Sequence, residues 1–164
     1  MSLELTIDRL GAQGDGVADT ASGPAFVPFT LPGERVEATE AGRRFRLDAV
    51  LTPSPQRQTP PCPHFGTCGG CDLQHADDAL YTAFKRDVVV DALARVGLDT
   101  EIAPLVTCPP ASRRRVALSA VGAGKSVHLG FNAAHSDQIV PIEVCPIALP
   151  AIQRALPALQ RLAA

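Results

Sequence analysis

The chain contains no tryptophan, one tyrosine and one methionine, and aromatic residues make up 4% of its 164 residues. A core so poor in large rings must be filled by aliphatic side chains, and at 46% apolar the sequence has enough of them. Apolar runs of the roughly 18–20 residues that a membrane span needs are also missing. The opening Met1-Ser2-Leu3-Glu4-Leu5-Thr6-Ile7-Asp8 carries acids where a secretion signal carries bases. These absences point to a cytoplasmic protein with no membrane partner. Its five cysteines then become candidates for metal or chemistry, because thiols in a reducing compartment stay reduced.

Proline and glycine, by contrast, are abundant at 15 and 13 residues, and such punctuation favours short strands over long helices. Alternation of apolar and polar residues marks strands at Leu3 to Ile7 and Phe45 to Leu51, with shorter ones at Ala25 to Phe29 and Arg35 to Thr39. Glycines at hairpin-like spacing between them suggest a small antiparallel barrel over residues 1–52. Residues 53–61 hold four prolines and read as a linker. The remaining span, 62–164, reads as a small α+β domain. A helix capped by Asp77 or Asp78 presents Leu80, Phe84, Val88, Val89, Leu93 and Val96 and stops at Gly97. An antiparallel sheet built from 114–121, 126–131 and 138–142 is expected to pack on it. A last amphipathic helix over 149–162 is interrupted by Pro157. The fold class is therefore mainly β with α+β: a small antiparallel β-barrel followed by an α+β domain with an antiparallel sheet. That last helix leaves its apolar face unmatched at the end of the chain, which suggests a longer natural polypeptide.

The net charge of −2 hides an uneven distribution. Residues 111–164 carry six bases against two acids, and Arg113, Arg114, Arg115 and Lys125 lie close together there. Such a group can meet phosphate, or simply solvate a strand edge.

The most specific pattern is Cys62-Pro63-His64-Phe65-Gly66-Thr67-Cys68-Gly69-Gly70-Cys71, three thiols within ten residues, with a remote fourth in Val144-Cys145-Pro146. Four thiolates ending in Cys-Pro suit a [4Fe–4S] cluster. Tetrahedral zinc is the alternative, with His64 or His75 available as a ligand, although zinc sites more often use two separated pairs. Small buried core thiols are a third reading, against which the loop lacks core periodicity. Gly69 and Gly70 offer backbone N–H groups for cluster sulfides. Cys108, in Thr107-Cys108-Pro109-Pro110, has no base in a recognisable pattern beside it and is left out of the site. Phe26, Phe29 and Phe45 could each stack on an unpaired base or simply fill the core; core packing is the better account of any one of them.

The segment Pro61 to His75, with Cys145-Pro146-Ile147, resembles the iron–sulfur signature of the bacterial RNA uracil-5-methyltransferases that act on large-subunit ribosomal RNA. The stretches Asp8 to Ala18 and Phe26 to Val36 resemble the TRAM domain, an OB-like RNA-binding barrel that precedes the cluster in that family. The resemblance implies a [4Fe–4S] cluster on Cys62, Cys68, Cys71 and Cys145. It also implies RNA as partner and a further Rossmann-like domain; Arg113, Arg114, Arg115 and Lys125 are the candidate contacts by their charge, and a monomeric state is expected. The Rossmann-like domain would bind S-adenosylmethionine and supply the cysteine nucleophile that attacks uracil C6. None of its motifs occurs in this sequence, so the parent protein is expected to be the enzyme and these 164 residues its RNA- and cluster-binding part. Where the family often has an aromatic-Arg-Asn-Arg run, Ser112-Arg113-Arg114-Arg115 keeps the two outer arginines. A free-standing zinc or iron–sulfur RNA-binding module without catalytic activity is the alternative function.

Overall fold

A computed structural model describes residues 2–124 and 126–163. Among the described residues there are nine strands, all paired antiparallel, and two helices, none long and apolar enough to cross a membrane. The chain forms two compact units, and each draws on two separate segments. One comprises residues 1–59 and 72–106, the other 60–71 and 107–164. This division departs from the boundaries at 52 and 62, since the helix-bearing stretch groups with the N-terminal strands.

The first unit holds β1 (Ser2–Thr6), β2 (Arg9–Leu10), β3 (Gly16–Thr20), β4 (Gly23–Val27), β5 (Arg35–Ala41), β6 (Arg44–Thr52) and α1 (Asp78–Ala94). The expected closed barrel is replaced by two three-stranded sheets, β1-β5-β6 and β2-β3-β4. The chain leaves β1 at Ile7 and bonds elsewhere: Ile7 N–H donates to the Glu34 carbonyl at 2.9 Å, and Asp8 N–H to that of Val17 at 2.8 Å. Leu5, Ile7, Ala18, Ala25, Val27, Val36 and Ala38 are buried together, with Phe45, Leu47 and Val50 packed against them. This aliphatic core is what a ring-poor composition requires. Gly42, at φ 67°, opens the two-residue turn between Ala41 and Arg44, a position where L side chains are strained and which puts Arg43 at the hairpin tip.

Residues 53–59 are no free linker. Their prolines deny ladder bonds, yet Ser54 is buried and the Ser54 amide and Arg57 guanidinium both donate to Glu34. Helix α1 starts where its cap predicts, the Asp77 carboxylate accepting from Leu80 N–H at 2.7 Å. It ends in paired bonds from Gly97 N–H to the Ala94 carbonyl and Leu98 N–H to that of Leu93, closed by Gly97 at φ 74°. No residue of α1 is fully buried; Leu80, Phe84, Val88 and Leu93 on its apolar side are half-buried and Val89 is exposed.

In the second unit β7 (Ser119–Ala123), β8 (Ser126–Asn132) and β9 (Ile139–Pro141) form one sheet, order β7-β8-β9. The first strand starts at Ser119, not residue 114, and the bridge nearest before it is Arg113 to Ala148. Helix α2 (Pro150–Leu162) runs through Pro157 without a break, buries Leu156, and donates from Gln160 Nε2 to the Val127 carbonyl on β8 at 2.9 Å.

Candidate functional site

All four proposed ligand cysteines fall in the second unit, and each is half-buried. The segment 62–71 is a succession of turns. Phe65 N–H donates to the Cys62 carbonyl at 3.1 Å, and Cys68 N–H to that of His64 at 2.9 Å, which curls the first two thiol positions around a tight loop. The loop is docked on the end of β8: Cys68 bridges Ala133, and Gly69 N–H donates to the Asn132 carbonyl at 3.0 Å. The Gly69 amide is therefore engaged by backbone and is not a spare donor for a sulfide.

The fourth cysteine lies in a separate turn. His64 Nε2 accepts from Glu143 N–H at 3.4 Å, which brings the cysteine loop to a point two residues before Cys145. Ala148 N–H donates to the Cys145 carbonyl at 3.0 Å, so Cys145 lies in a turn between β9 and α2. Segments 79 residues apart in sequence thus share a hydrogen bond beside both halves of the thiol set. The thiols themselves do not form a finished centre, for no three metal-ligating side chains converge among the described residues. The donor set, four half-buried thiols on two apposed turns, fits an iron–sulfur cubane in number and type. His75, the other candidate zinc ligand, is fully buried in the first unit against Phe29, with ring centroids 6.4 Å apart. Burial, reinforced by the Arg57 charge, lowers its pKa to about 4. Cys108 is exposed.

The arginine run adjoins Cys145 through backbone. Ala111 N–H donates to the Pro146 carbonyl and Arg113 N–H to that of Ile147, both at 2.9 Å, while Leu149 N–H donates to the Arg113 carbonyl at 3.0 Å. This parallel bridge fixes the start of the run beside the Cys-Pro turn. Arg113, Arg114 and Arg115 are exposed and make no ion pair among the described residues. Lys125 lies outside the described residues. Of the three phenylalanines, Phe45 packs on the core, Phe29 faces His75, and Phe26 is 37% exposed.

Sequence reasoning missed the buried Glu34–Arg57 pair and the packing of His75 against Phe29. The signal available was weak: one acid just after Pro32-Gly33, and one arginine among prolines.

Residues 2–41 match the family model of the TRAM domain. Along 98% of its length the chain is 52% identical to a Caulobacter vibrioides protein named "Uncharacterized RNA methyltransferase", covering 39% of that protein. A Rhizobium meliloti protein of the same description is 49% identical over 98% of the chain and 40% of its own length. The 23S rRNA (uracil(1939)-C(5))-methyltransferase RlmD of Halomonas elongata is 40% identical over 93% of the chain and 34% of its own length. The chain thus spans about two-fifths of the length of the first two curated relatives and about one-third of the third.

Proposed function

This chain carries a TRAM domain and is related along nearly its whole length to proteins named RNA methyltransferases, and from that we propose that it is the RNA-gripping and cluster-holding part of an S-adenosylmethionine-dependent RNA uracil-C5 methyltransferase acting on 23S rRNA. The observation that carries the reading is this kinship combined with four half-buried cysteines on two turns joined at His64 and Glu143.

In this reading Cys62, Cys68, Cys71 and Cys145 hold a [4Fe–4S] cluster. When bound, it supplies a four-thiolate cross-link between the 62–71 loop and the turn before α2. Arg113, Arg114, Arg115 and Lys125 meet RNA phosphate. The backbone bridge from Arg113 to Ala148 supports a link between the two, since whatever fixes the Cys145 turn also fixes where the arginine run begins. Binding S-adenosylmethionine and attacking the uracil ring are assigned to the part of the relatives' length that this chain does not span.

Anaerobic reconstitution with iron and sulfide tests the proposal. The expected product is brown, with broad visible absorption and about four irons per chain. Ala in place of Cys62, Cys68, Cys71 or Cys145 removes the colour, and Ala in place of Cys108 leaves it. A colourless protein holding one zinc would overturn the cluster and favour the zinc module instead.

A further inference from the structure

We infer that a cavity of about 330 Å³ in the first unit, set between the Gly11–Asp15 turn, Phe26 on β4 and the Gly42–Arg43 hairpin tip, holds one unpaired RNA nucleotide, its base on the Phe26 ring and its phosphate on Arg43. The inference rests on the RNA reading above and assigns it a place.

Three observations carry it. Phe26 places a large apolar ring at an outward position of its strand: Ala25 and Val27, its neighbours, are buried at 4% and 0% exposure, whereas Phe26 stays 37% exposed. A large apolar ring in water with a cavity in front of it offers a flat face for a base. Second, the cavity has a cation to spare. The Arg44 guanidinium is occupied, bonding Gln13 Oε1 at 2.9 Å and pairing with the largely buried Asp15 at 3.2 Å. Arg43, at the hairpin tip, is exposed and makes no ion pair among the described residues. Arg44 therefore cancels the one acid in the lining, and Arg43 remains for a phosphate. Third, the space at the ring edge depends on Gly11, where a Cβ would come within 3.6 Å of Phe26 Cε1 and 3.2 Å of Val17 Cγ2. The Gln13 amide N–H₂, whose oxygen alone is engaged by Arg44, adds a donor for a base edge.

A ring face, one uncommitted cation and an amide donor match a nucleotide better than an acidic peptide, which would use the charge and ignore the ring. A base reaches the ring only if it is unstacked, so single-stranded RNA is the substrate class.

The test is fluorescence anisotropy of the 164-residue chain with a short labelled single-stranded RNA and with a duplex of the same sequence. The wild type is expected to prefer the single strand. Phe26→Leu, which keeps an apolar cover over the strand, is expected to weaken binding between about 5- and 150-fold, the loss of one base stack. Phe26→Trp restores it. Arg43→Ala is expected to weaken binding and lower the slope of log affinity against log salt by about 0.7. Arg46→Ala, an exposed arginine already paired with Asp48, is expected to change neither. Wild-type binding with Phe26→Leu and Arg43→Ala unchanged overturns the pocket and leaves the RNA reading standing. Equal competition by poly-glutamate also overturns the pocket. Failure of the wild type to bind any RNA overturns both.

Discussion

The Glu34 carboxylate, with no exposed surface, accepts two bonds from the Arg57 guanidinium, at 2.5 Å from Nε and 2.8 Å from Nη2. It also accepts from Leu31 N–H at 2.9 Å and Ser54 N–H at 3.1 Å, so its acceptor sites are filled by three residues from two stretches of chain. Residues 54–57 are thereby bound to the β4–β5 connection. Arg57→Ala would leave a buried charge with backbone donors alone, and is expected to cost about 3 kcal/mol. Urea unfolding at neutral pH measures it. Adding Glu34→Gln to Arg57→Ala should recover part of the loss, since the orphaned charge is then gone. If Arg57→Ala shifts the midpoint no more than a surface substitution does, the pair is not holding the segment.

The same network makes stability depend on acid. Burial pushes the Glu34 carboxyl up, but the Arg57, Leu31 and Ser54 hydrogen bonds together outweigh it and hold the group below the ordinary carboxylate value. Its contribution is present above the unfolded value near 4.5 and is lost as pH falls through the folded one. His75 acts earlier. Burial first, and the Arg57 charge second, lower its pKa from 6.5 to about 4, against a backbone bond at Thr30 and the Glu34 charge that favour protonation. Between those values the unfolded chain binds the proton and the folded one does not. Stability should therefore fall as pH drops from about 6.5 to about 4, by about 3 kcal/mol in all. Unfolding midpoints at pH 7, 6 and 5 check this, and His75→Gln should flatten that part of the profile.

Much of this was legible in the chain. Residue alternation places β1, β5 and β6 within a few residues, and the Asp77 cap and Gly97 stop bracket α1, because caps are local chemistry. Strand β3 was not legible: it opens on a glycine and buries Gly16, Val17 and Ala18 in succession, so it has no period of two. Nor was the missing closure of the barrel, which turns on where Ile7 and Asp8 send their backbone bonds. The thiol set could be read from spacing, whereas its docking through Gly69 and His64 depends on Asn132 and Glu143, more than 60 residues away. The cavity at Phe26 joins two turns and a strand and leaves no contiguous motif.

Gly69 offers a test of that docking. A Cβ there would lie 2.9 Å from both Cα and N of Ala134 and 3.0 Å from the Asn132 carbonyl oxygen, all backbone atoms that cannot step aside. Gly69→Ala should lift the cysteine loop from β8, cost about 1–3 kcal/mol, and lower the iron retained after reconstitution. Gly122→Ala enters open space on β7 and should retain full iron content. Equal iron in the two variants would mean that the loop does not need its seat on β8.

The arginine run gives the remaining prediction. Arg113, Arg114 and Arg115 are exposed and make no ion pair among the described residues, and Arg113 is pinned by backbone to residues 147 and 149 rather than to the β7-β8-β9 sheet. The backbone anchor at Arg113 fixes where the run begins, and three exposed cations from that point can meet one stretch of phosphate backbone. Each phosphate neutralised on a single strand contributes about 0.7 to the fall of log affinity with log salt. Arg113→Ala and Arg115→Ala should each lower RNA affinity and flatten that slope, while the colour of the reconstituted protein stays unchanged. The double variant should lose about twice the slope of either, since the two side chains would engage different phosphates. Filter-binding titrations at several salt concentrations decide it, and identical slopes for wild type and variants would return these arginines to the role of solvating a sheet edge.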